Sequence, residues 1–274
     1  MLQPQSAYDE IYRFCAGNWR PEEAMKTIGL IGGMSWESSA EYYRLINQET
    51  KRRLGGHHNA PSILVTVDFA RVERLQAANQ WEALGGLMAD AARQLERAGA
   101  DFVVLCTNTM HKVADCIIAA VRIPLLHIAD ATAQSVRQAG RHRVGLLGTK
   151  FTMEESFYAD RMRLAFGVET IVPAAADRQV VHDVIYQELC HGVIREDSRR
   201  AYREIISRLA EKGAESVVLG CTEIGLLITQ ADSLLPVHDS TSIHARAAVE
   251  MALLDTQPAM LPANPLEPLS SNPG

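Results

Sequence analysis

Short apolar runs alternate with longer amphipathic segments along most of this chain. The apolar runs predict strands over residues 26–31, 62–68, 102–106, 124–128, 144–147, 169–172 and 216–219. The segments between them predict helices over residues 36–53, 81–98, 111–121, 131–138, 152–166, 180–189, 198–212 and 243–254. Strands that alternate with helices of about ten residues or more are typical of parallel βαβ units, in which helices cover both faces of the sheet. The pattern therefore predicts an α/β fold.

Two strand sequences occur twice in the chain. The sequence GADFVVLCT at 99–107 recurs as GAESVVLGCT at 213–222, and TIGLIG at 27–32 recurs as RVGLLG at 143–148. This duplication predicts two pseudo-symmetric Rossmann-like lobes, each with a parallel sheet flanked by helices, and an active site in the cleft between them. We expect residues 25–130 with 239–254 to form the first lobe and residues 131–238 to form the second.

Both ends of the chain differ from the rest. Residues 1–24 precede the first predicted strand and have no counterpart in the second half, so they could be a helical arm, a dimer contact or an upstream extension. Residues 255–274 contain five of the eleven prolines, which predicts a disordered tail.

The composition is that of a soluble globular protein, with 47% hydrophobic and 22% charged residues and no apolar run near the ~20 residues of a membrane span. A net charge of −6 without a basic cluster argues against nucleic acid as a partner. Five irregularly spaced cysteines without a CxxC pair fit neither a disulfide framework nor a zinc site. Because no signal peptide is visible either, we expect a cytoplasmic protein that contacts no membrane.

Four turns at the carboxyl ends of predicted strands contain polar residues that could bind a ligand. They lie at 32–35, 106–109, 148–149 and 220–223, and each leads into a helix. Ligands of open parallel sheets bind beyond the carboxyl ends of the strands, where backbone N–H groups and hydroxyls can hold an anion such as a carboxylate. The alternative is that Ser and Thr only cap helices, which is an equal possibility for any one turn but a weaker one for all four.

Cys221 is the first candidate for chemistry in these turns. It follows a strand at the start of a predicted helix, a position that lowers a thiol pKa from ~8.5 and favours the thiolate, which is a base. The alternative is a small buried hydrophobic residue. The repeat places Thr107 opposite Cys221 and Cys106 opposite Gly220. Since a shift of one residue along a strand reverses the side chain's face, Cys106 is predicted to lie in the core.

The other candidate residues are less specific. We interpret Cys15, Cys116 and Cys190 as packing residues, and His111 either orients a substrate carboxylate or a proton, or caps its helix. No HExxH, Walker A or complete GxGxxG motif occurs, and no lysine has a recognisable pyridoxal phosphate context. Chemistry at an acidic C–H bond is therefore expected to need no cofactor and no metal.

The four turns, in this order, resemble those of the cofactor-independent aspartate/glutamate racemase family. The similar pieces are residues 28–35, 108–111, 148–149 and 220–224, and the resemblance extends from about residue 26 to about 253. The family implies two Rossmann-like lobes, frequent dimers, and two cysteines of which one removes the substrate α-proton while the other returns a proton from the opposite face. Family members typically have Cys-Asn-Thr where this chain has Thr107-Asn108-Thr109, so the chain resembles a subgroup with a Thr/Cys pair and broad or L-specific activity.

The resemblance implies roles for further residues. Cys221 and Thr107 would be catalytic, with His111 and Cys106 as supporting candidates. The substrate-binding residues would be Met34, Ser35, Gln76, Asn108, Thr109, Thr149, Thr222 and Glu223. Glu223 in the fourth turn is similar to the aspartate-type branch. Some aspartate racemases have a lysine near the position of Cys190 that this chain lacks, and the residue that holds the substrate side chain could be Arg71, Arg74 or Gln76, with Gln76 preferred.

The resulting prediction is a racemase that interconverts L- and D-aspartate or glutamate without pyridoxal phosphate. Its partner would be a small acidic amino acid, and the chain is expected to form a homodimer. Two alternatives stay open: a decarboxylase of a malonate-type acid on the same fold, and a non-catalytic protein that binds an amino acid.

Overall fold

The first half of the chain contains four strands that alternate with helices. The computed structural model describes residues 25–254, so the predictions for the N-terminal extension and the proline-rich tail lie outside the described residues. The first-half elements are β1 (Ile28–Gly32), α1 (Trp36–Leu54), β2 (Ser62–Thr66), α2 (Phe69–Ala77), α3 (Trp81–Arg97), β3 (Phe102–Leu105), a 3₁₀ helix (Thr109–Val113), α4 (Ala114–Ala120) and β4 (Leu125–Leu126).

The second half repeats this alternation. Its elements are α5 (Ile128–Gln138), β5 (Arg143–Gly148), α6 (Lys150–Glu154), α7 (Ser156–Phe166), β6 (Glu169–Ile171), α8 (Ala175–Gln187), a 3₁₀ helix (Leu189–His191), α9 (Glu196–Glu211), β7 (Ser216–Gly220), α10 (Ile224–Leu227), a 3₁₀ helix (Gln230–Asp232), β8 (Val237–Asp239) and α11 (Ser240–Leu253). Within residues 25–254, no helix is both long and apolar enough to cross a membrane.

The strands form two parallel sheets of four strands each, with the orders β2-β1-β3-β4 and β6-β5-β7-β8. The two orders are the same when β1 is matched with β5 and β3 with β7. In the first sheet Ile31 pairs with Leu105, and in the second Gly148 pairs with Gly220. The predicted α/β fold with two lobes is therefore confirmed, and the repeated sequences lie at the two central strands of each sheet.

The cores of the two lobes are covered by helices that cross between them. On the first lobe, the last helix α11 packs Ala248 and Ala252 against Tyr42 and Ile46 of α1. On the second lobe, α5 packs against β5 and α7. Helix α5 already begins at Ile128, so the lobe boundary predicted between residues 130 and 131 falls inside this helix.

Three helices differ from the sequence prediction for identifiable reasons. Helix α2 is absent from the sequence prediction; it has nine residues, of which only Val72 and Gln76 are buried. The helix predicted over 152–166 is interrupted at Glu155, whose backbone is extended, and so forms α6 and α7. The helix predicted from residue 111 starts as a 3₁₀ turn, in which the His111 N–H donates to the Asn108 carbonyl.

Candidate active site

A small cavity lies where the carboxyl ends of the central strands of the two sheets face each other. Its volume is about 20 Å³, which is room for a water molecule. The residues that line it are Met34, Phe69, Gln76, Thr107, Asn108, Thr109, Thr149, Ile185, Tyr186, Cys190, Gly220, Cys221, Thr222 and Glu223. The turns at 106–109 and 220–223, which we call the Thr107 turn and the Cys221 turn, follow β3 and β7 and contribute seven of these residues.

The Cys221 turn is organised around the carboxylate of Glu223. The Cys221 thiol donates a hydrogen bond to Glu223 Oε2 at 3.0 Å, and the Thr222 hydroxyl donates to the same oxygen at 2.6 Å. The other oxygen, Oε1, accepts from the hydroxyl of Ser35 in the first lobe at 2.9 Å. Ser35 does not line the cavity, and it also caps α1 by accepting from the Ser38 N–H. The carboxylate thus joins the two lobes and lies beside the thiol.

The pKa of the Cys221 thiol is raised well above its ordinary value. Burial is the largest cause, followed by the negative charge of Glu223. The sequence prediction of a lowered pKa is therefore wrong. The following helix, α10, has only four residues, so its N-terminus offers a weak dipole, whereas a carboxylate accepts the thiol proton directly. Cys221 is accordingly a thiol at neutral pH, and Glu223 is the nearest group to which its proton can pass.

Thr107 faces the same cavity from the first lobe. Its N–H donates to the Leu105 carbonyl at 2.8 Å, and its own carbonyl lies 2.7 Å from Nδ1 of His111. The neighbouring Cys106 side chain is fully buried in the first-lobe core beside Phe102 and Val104, where burial raises the pKa of its thiol. The structure therefore places Thr107 at the cavity and Cys106 away from it.

The Thr107 turn is connected to the second lobe by one direct hydrogen bond and by a second route through Ser240 of α11. The hydroxyls of Thr109 and Thr149 are 2.9 Å apart. The Asn108 side-chain amide donates to the hydroxyl of Ser240 at 3.1 Å, and that hydroxyl donates to the Leu219 carbonyl of β7 at 2.6 Å. The other amide atom, Asn108 Oδ1, is buried and has no hydrogen-bond partner among the described residues. It is an acceptor that a ligand in the cavity could use.

Gln76 and Tyr186 separate the cavity from a larger cleft. The Tyr186 hydroxyl donates to Gln76 Oε1 at 3.3 Å, and Gln76 Nε2 lies 3.3 Å from the sulfur of Met110. Both Gln76 and Tyr186 also line an adjoining cleft of about 490 Å³ between α2 of the first lobe and α6 and α8 of the second. Because the inner cavity is too small for an amino acid, this pair must separate before a substrate can enter from the cleft.

Several site residues were missed by the sequence analysis. Phe69 and Ile185 line the cavity without any signal in the sequence, whereas Tyr186 belongs to the segment in which a basic residue was expected. Cys190, which was interpreted as a packing residue, also lines the cavity, and burial raises the pKa of its thiol. Cys116, interpreted in the same way, is exposed, and Cys15 lies outside the described residues.

Among the described residues, one charged side chain lines the cavity, that of Glu223. Arg71 and Arg74 do not line the cavity, and Gln76 does. Among residues 25–254, no lysine, arginine or histidine lines it, whereas Glu223 does. His111 lies under the Thr107 turn rather than in the cavity wall. No group of three or more potential metal ligands lies together within the described part of the chain.

The chain is similar in sequence and fold to several known proteins. The family model described as Asp/Glu/Hydantoin racemase matches residues 31–248 of the chain. A Yersinia pestis protein whose structure is assigned to the Asp/Glu racemases is 52% identical, with a TM-score of 0.78 over 84% of this chain and 100% of that chain. An aspartate racemase homologue from Pyrococcus horikoshii is 34% identical, with a TM-score of 0.73 over 83% of this chain and 99% of that chain.

A more distant curated relative is the broad specificity amino-acid racemase RacX of Bacillus subtilis (strain 168). It is 22% identical over 172 residues, which is 60% of this chain and 70% of the relative. The matched region of the family model contains all fourteen residues that line the cavity.

Proposed function

Because the chain belongs to the Asp/Glu/hydantoin racemase family, we propose that it interconverts the L and D forms of aspartate or glutamate without pyridoxal phosphate. The observation that carries this proposal is the shared position of Cys221 and Thr107. They follow corresponding strands of two pseudo-symmetric sheets and line one cavity. A substrate between them presents opposite faces of its α-carbon to the two side chains, which is what inversion of that carbon requires.

The polar groups of the two turns suit the head of an amino acid. The substrate carboxylate lies against the hydroxyl and backbone groups of residues 108–109 and 222–223. Negative charge that develops there as the α-proton leaves is stabilised by these donors. The unpaired Asn108 Oδ1 accepts from the substrate ammonium group, since it is the buried acceptor in the cavity wall that lacks a partner within residues 25–254.

Proton transfer begins at Cys221. Glu223 takes the thiol proton across their hydrogen bond, and the resulting thiolate removes the α-proton from the L substrate. The Thr107 hydroxyl then delivers a proton to the opposite face, directly or through water, and regains one from water. Cys221 gives up the α-proton to the hydroxide that this water leaves, and it takes back the proton held by Glu223. Each group thereby ends the cycle in its starting protonation state.

The base is Cys221 when the reaction starts from the L enantiomer and Thr107 when it starts from the D enantiomer. An alcohol has a far higher pKa than a thiol and is a poor base near neutral pH, so a cycle that begins with Thr107 is slow. We therefore expect the L enantiomer to be the better substrate. Since the equilibrium constant of racemisation is one, a higher kcat for the L form is balanced by a higher KM.

The substrate side chain is proposed to lie towards Gln76 and Tyr186, at the side of the cavity that faces the cleft. These two groups are neutral hydrogen-bond donors, and they hold an acidic side chain by hydrogen bonds rather than by an ion pair. The lack of a cation among the described lining residues favours a second candidate function, racemisation of neutral polar amino acids. The Bacillus subtilis relative is a broad specificity amino-acid racemase.

The test is ¹H NMR of L-Asp, L-Glu, L-Asn and L-Gln in D₂O with the enzyme, followed by chiral analysis of the products. Loss of the α-proton signal with formation of the D enantiomer supports racemisation and ranks the four side chains. A Cys221→Ser variant should lose nearly all turnover, and retention of more than ~1% of the rate would remove Cys221 from the role of base. No exchange on any amino acid would contradict the proposal. CO₂ release from malonate or binding without exchange would then support the alternatives.

A further inference from the structure

Three buried histidines lie directly beneath the Thr107 turn. They are His111 in the 3₁₀ helix after β3, His127 at the start of α5, and His244 in α11, and none of them is more than 5% exposed. The ring centres of His111 and His127 are 4.4 Å apart, and those of His111 and His244 are 5.9 Å apart. We call these residues the histidine cluster. No step of the proposed reaction uses them.

The hydrogen bonds of His111 define which of its ring nitrogens holds a proton. The Ile128 N–H donates to His111 Nε2 at 3.2 Å, so this nitrogen is an acceptor without a proton. The proton of the neutral ring is therefore on Nδ1, which donates to the Thr107 carbonyl at 2.7 Å. Burial lowers the pKa of His111 well below its ordinary value, with a further contribution from the two neighbouring histidines. The ring is thus neutral and has one fixed tautomer.

The hydrogen bond from His111 to the Thr107 carbonyl restrains the backbone that determines the direction of the Thr107 side chain. The Thr107 N–H is already held by the Leu105 carbonyl, and its carbonyl is held by His111. With both its N–H and its carbonyl held, the Thr107 backbone has little freedom to rotate. The opposite nitrogen of the ring is attached to the first turn of α5, which packs in the second-lobe core. His111 therefore fixes Thr107 relative to the lobe that contains Cys221.

The other two histidines bind different partners. His127 accepts from the Ala129 N–H and caps α5. His244 lies between the Tyr42 hydroxyl, 2.8 Å from Nδ1, and the Leu126 carbonyl, 2.9 Å from Nε2. Neither of them bonds to the Thr107 turn. Their rings lie beside that of His111, whereas the hydrogen bond to Thr107 is made by His111.

We propose that His111 is a positioning residue for the second proton transfer, because it holds Thr107 where its hydroxyl can reach the face of the α-carbon opposite Cys221. This inference rests on the proposed racemase function. His111 does not touch the substrate, so its loss leaves removal of the α-proton by Cys221 in place. The loss of His111 weakens only the delivery of a proton from Thr107.

The measurable consequence is a change in how the deprotonated intermediate is divided between two products. In D₂O, Cys221 can exchange the removed proton for a solvent deuteron through Glu223 and return that deuteron, which gives deuterated L-amino acid. Delivery from Thr107 gives deuterated D-amino acid. Chiral chromatography with mass detection, at early times, gives the D-to-L ratio among deuterated molecules. A loss of folded enzyme lowers both products together and leaves this ratio unchanged.

His111→Leu keeps the approximate size of the ring and removes the donor. We expect the D-to-L ratio to fall at least ~10-fold, since a displacement near 1 Å of a reacting group costs about 100-fold. His111→Asn places an amide N–H close to the position of Nδ1, so we expect it to keep the ratio within about threefold of wild type. If the leucine variant does not fold, His111→Gln serves instead, because its longer amide reaches the Ile128 N–H but not the Thr107 carbonyl.

The matched control is His244→Asn, a substitution in the same cluster that removes no bond to the Thr107 turn. It should lower thermal stability and leave the ratio unchanged. A wild-type ratio in folded His111→Leu or His111→Gln, or an equal change in His244→Asn, would overturn the positioning role while leaving the racemase function intact. A wild-type enzyme that exchanges no α-proton on any amino acid would instead overturn the racemase function and this inference with it.

Discussion

Replacement of Glu223 by glutamine tests whether the carboxylate activates Cys221. The carboxylate accepts hydrogen bonds from Cys221, Thr222 and Ser35 on its two oxygens. An amide of the same shape has one acceptor oxygen, and its NH₂ group would face donors on the other side. Each hydrogen bond to a charged group contributes about 1.5–3 kcal/mol, so the glutamine variant loses a substantial part of what holds the Cys221 turn against the first lobe.

The same substitution should have opposite effects on two properties of the thiol. The charge of Glu223 and the hydrogen bond that it accepts both raise the pKa of Cys221, so their removal lowers this pKa and increases the thiolate fraction at pH 8. The rate of α-proton exchange should nevertheless fall by about 10²–10⁴-fold, the usual contribution of a general base. An increased thiolate fraction together with a lower exchange rate is not expected if Glu223 only packs against Cys221.

Two assays measure these properties on one sample of Glu223→Gln. Alkylation by iodoacetamide as a function of pH, followed at the Cys221 peptide by mass spectrometry because Cys116 is exposed, gives the pKa of the Cys221 thiol. ¹H NMR in D₂O gives the rate of α-proton loss from L-Asp. Ser35→Ala is the matched control, because it removes one hydrogen bond to Glu223 and keeps the carboxylate charge. We expect this variant to lower the rate of α-proton exchange about tenfold, equivalent to ~1.4 kcal/mol. If Glu223→Gln keeps more than about a tenth of the wild-type exchange rate, the carboxylate is not the proton acceptor.

Three other changes test separate parts of the site. Thr107→Cys should raise the rate with D-Asp at least ~10-fold, because a thiol is a far better base than an alcohol; chiral chromatography that shows no gain would contradict the facing pair of residues. Cys190→Lys adds a cation to the cavity wall, so the KM for Asp should fall relative to that for Asn, and an unchanged ratio would place the substrate side chain elsewhere. For stability, burial lowers the pKa of His244 from 6.5 to about 4. Below pH 6.5 the unfolded chain therefore binds a proton that the folded chain does not. The free energy of unfolding consequently decreases as the pH is lowered from 6.5 to about 4. At ~1.4 kcal/mol per unit this loss is about 3 kcal/mol. Urea unfolding of His244→Asn at pH 7 and pH 4 should show a correspondingly smaller loss, and an equal loss in both proteins would refute the assignment.

The duplicated strand sequences predicted more of this molecule than any single motif. They predicted the two sheets, and they placed Thr107 and Cys221 at equivalent positions, because the backbone of a parallel strand and its following turn is determined by local sequence. The partners of Glu223 were not predictable in this way. Ser35 is 188 residues away along the chain, and only the assembly of the two lobes brings the pair together. The same assembly buries Cys221 and reverses the direction of its predicted pKa shift.

The hydrogen bonds between the lobes follow the same pseudo-symmetry as the strands, but the chemical groups that form them differ between the two turns. In the repeat, Thr109 of the Thr107 turn is equivalent to Glu223 of the Cys221 turn. Each of these two residues binds a hydroxyl in the turn after the first strand of the opposite lobe: Thr109 binds Thr149, and Glu223 binds Ser35. The residue that joins the lobes is therefore a neutral hydroxyl, Thr109, on one side of the cleft. On the other side it is the carboxylate of Glu223, which lies beside the Cys221 thiol.

This difference bears on the direction of the reaction in addition to the Thr/Cys pair. A group at position 107 has Asn108 and Thr109 after it, so neither of the next two residues supplies a carboxylate to take its proton. Cys221 has such an acceptor at 3.0 Å. A thiol introduced at position 107 would thus have to ionise by transfer to water, and its rate from the D enantiomer should stay below the rate of Cys221 from the L enantiomer. On the proposed mechanism, the preference for the L form is determined at two positions of each turn, the reacting residue and the residue two places after it.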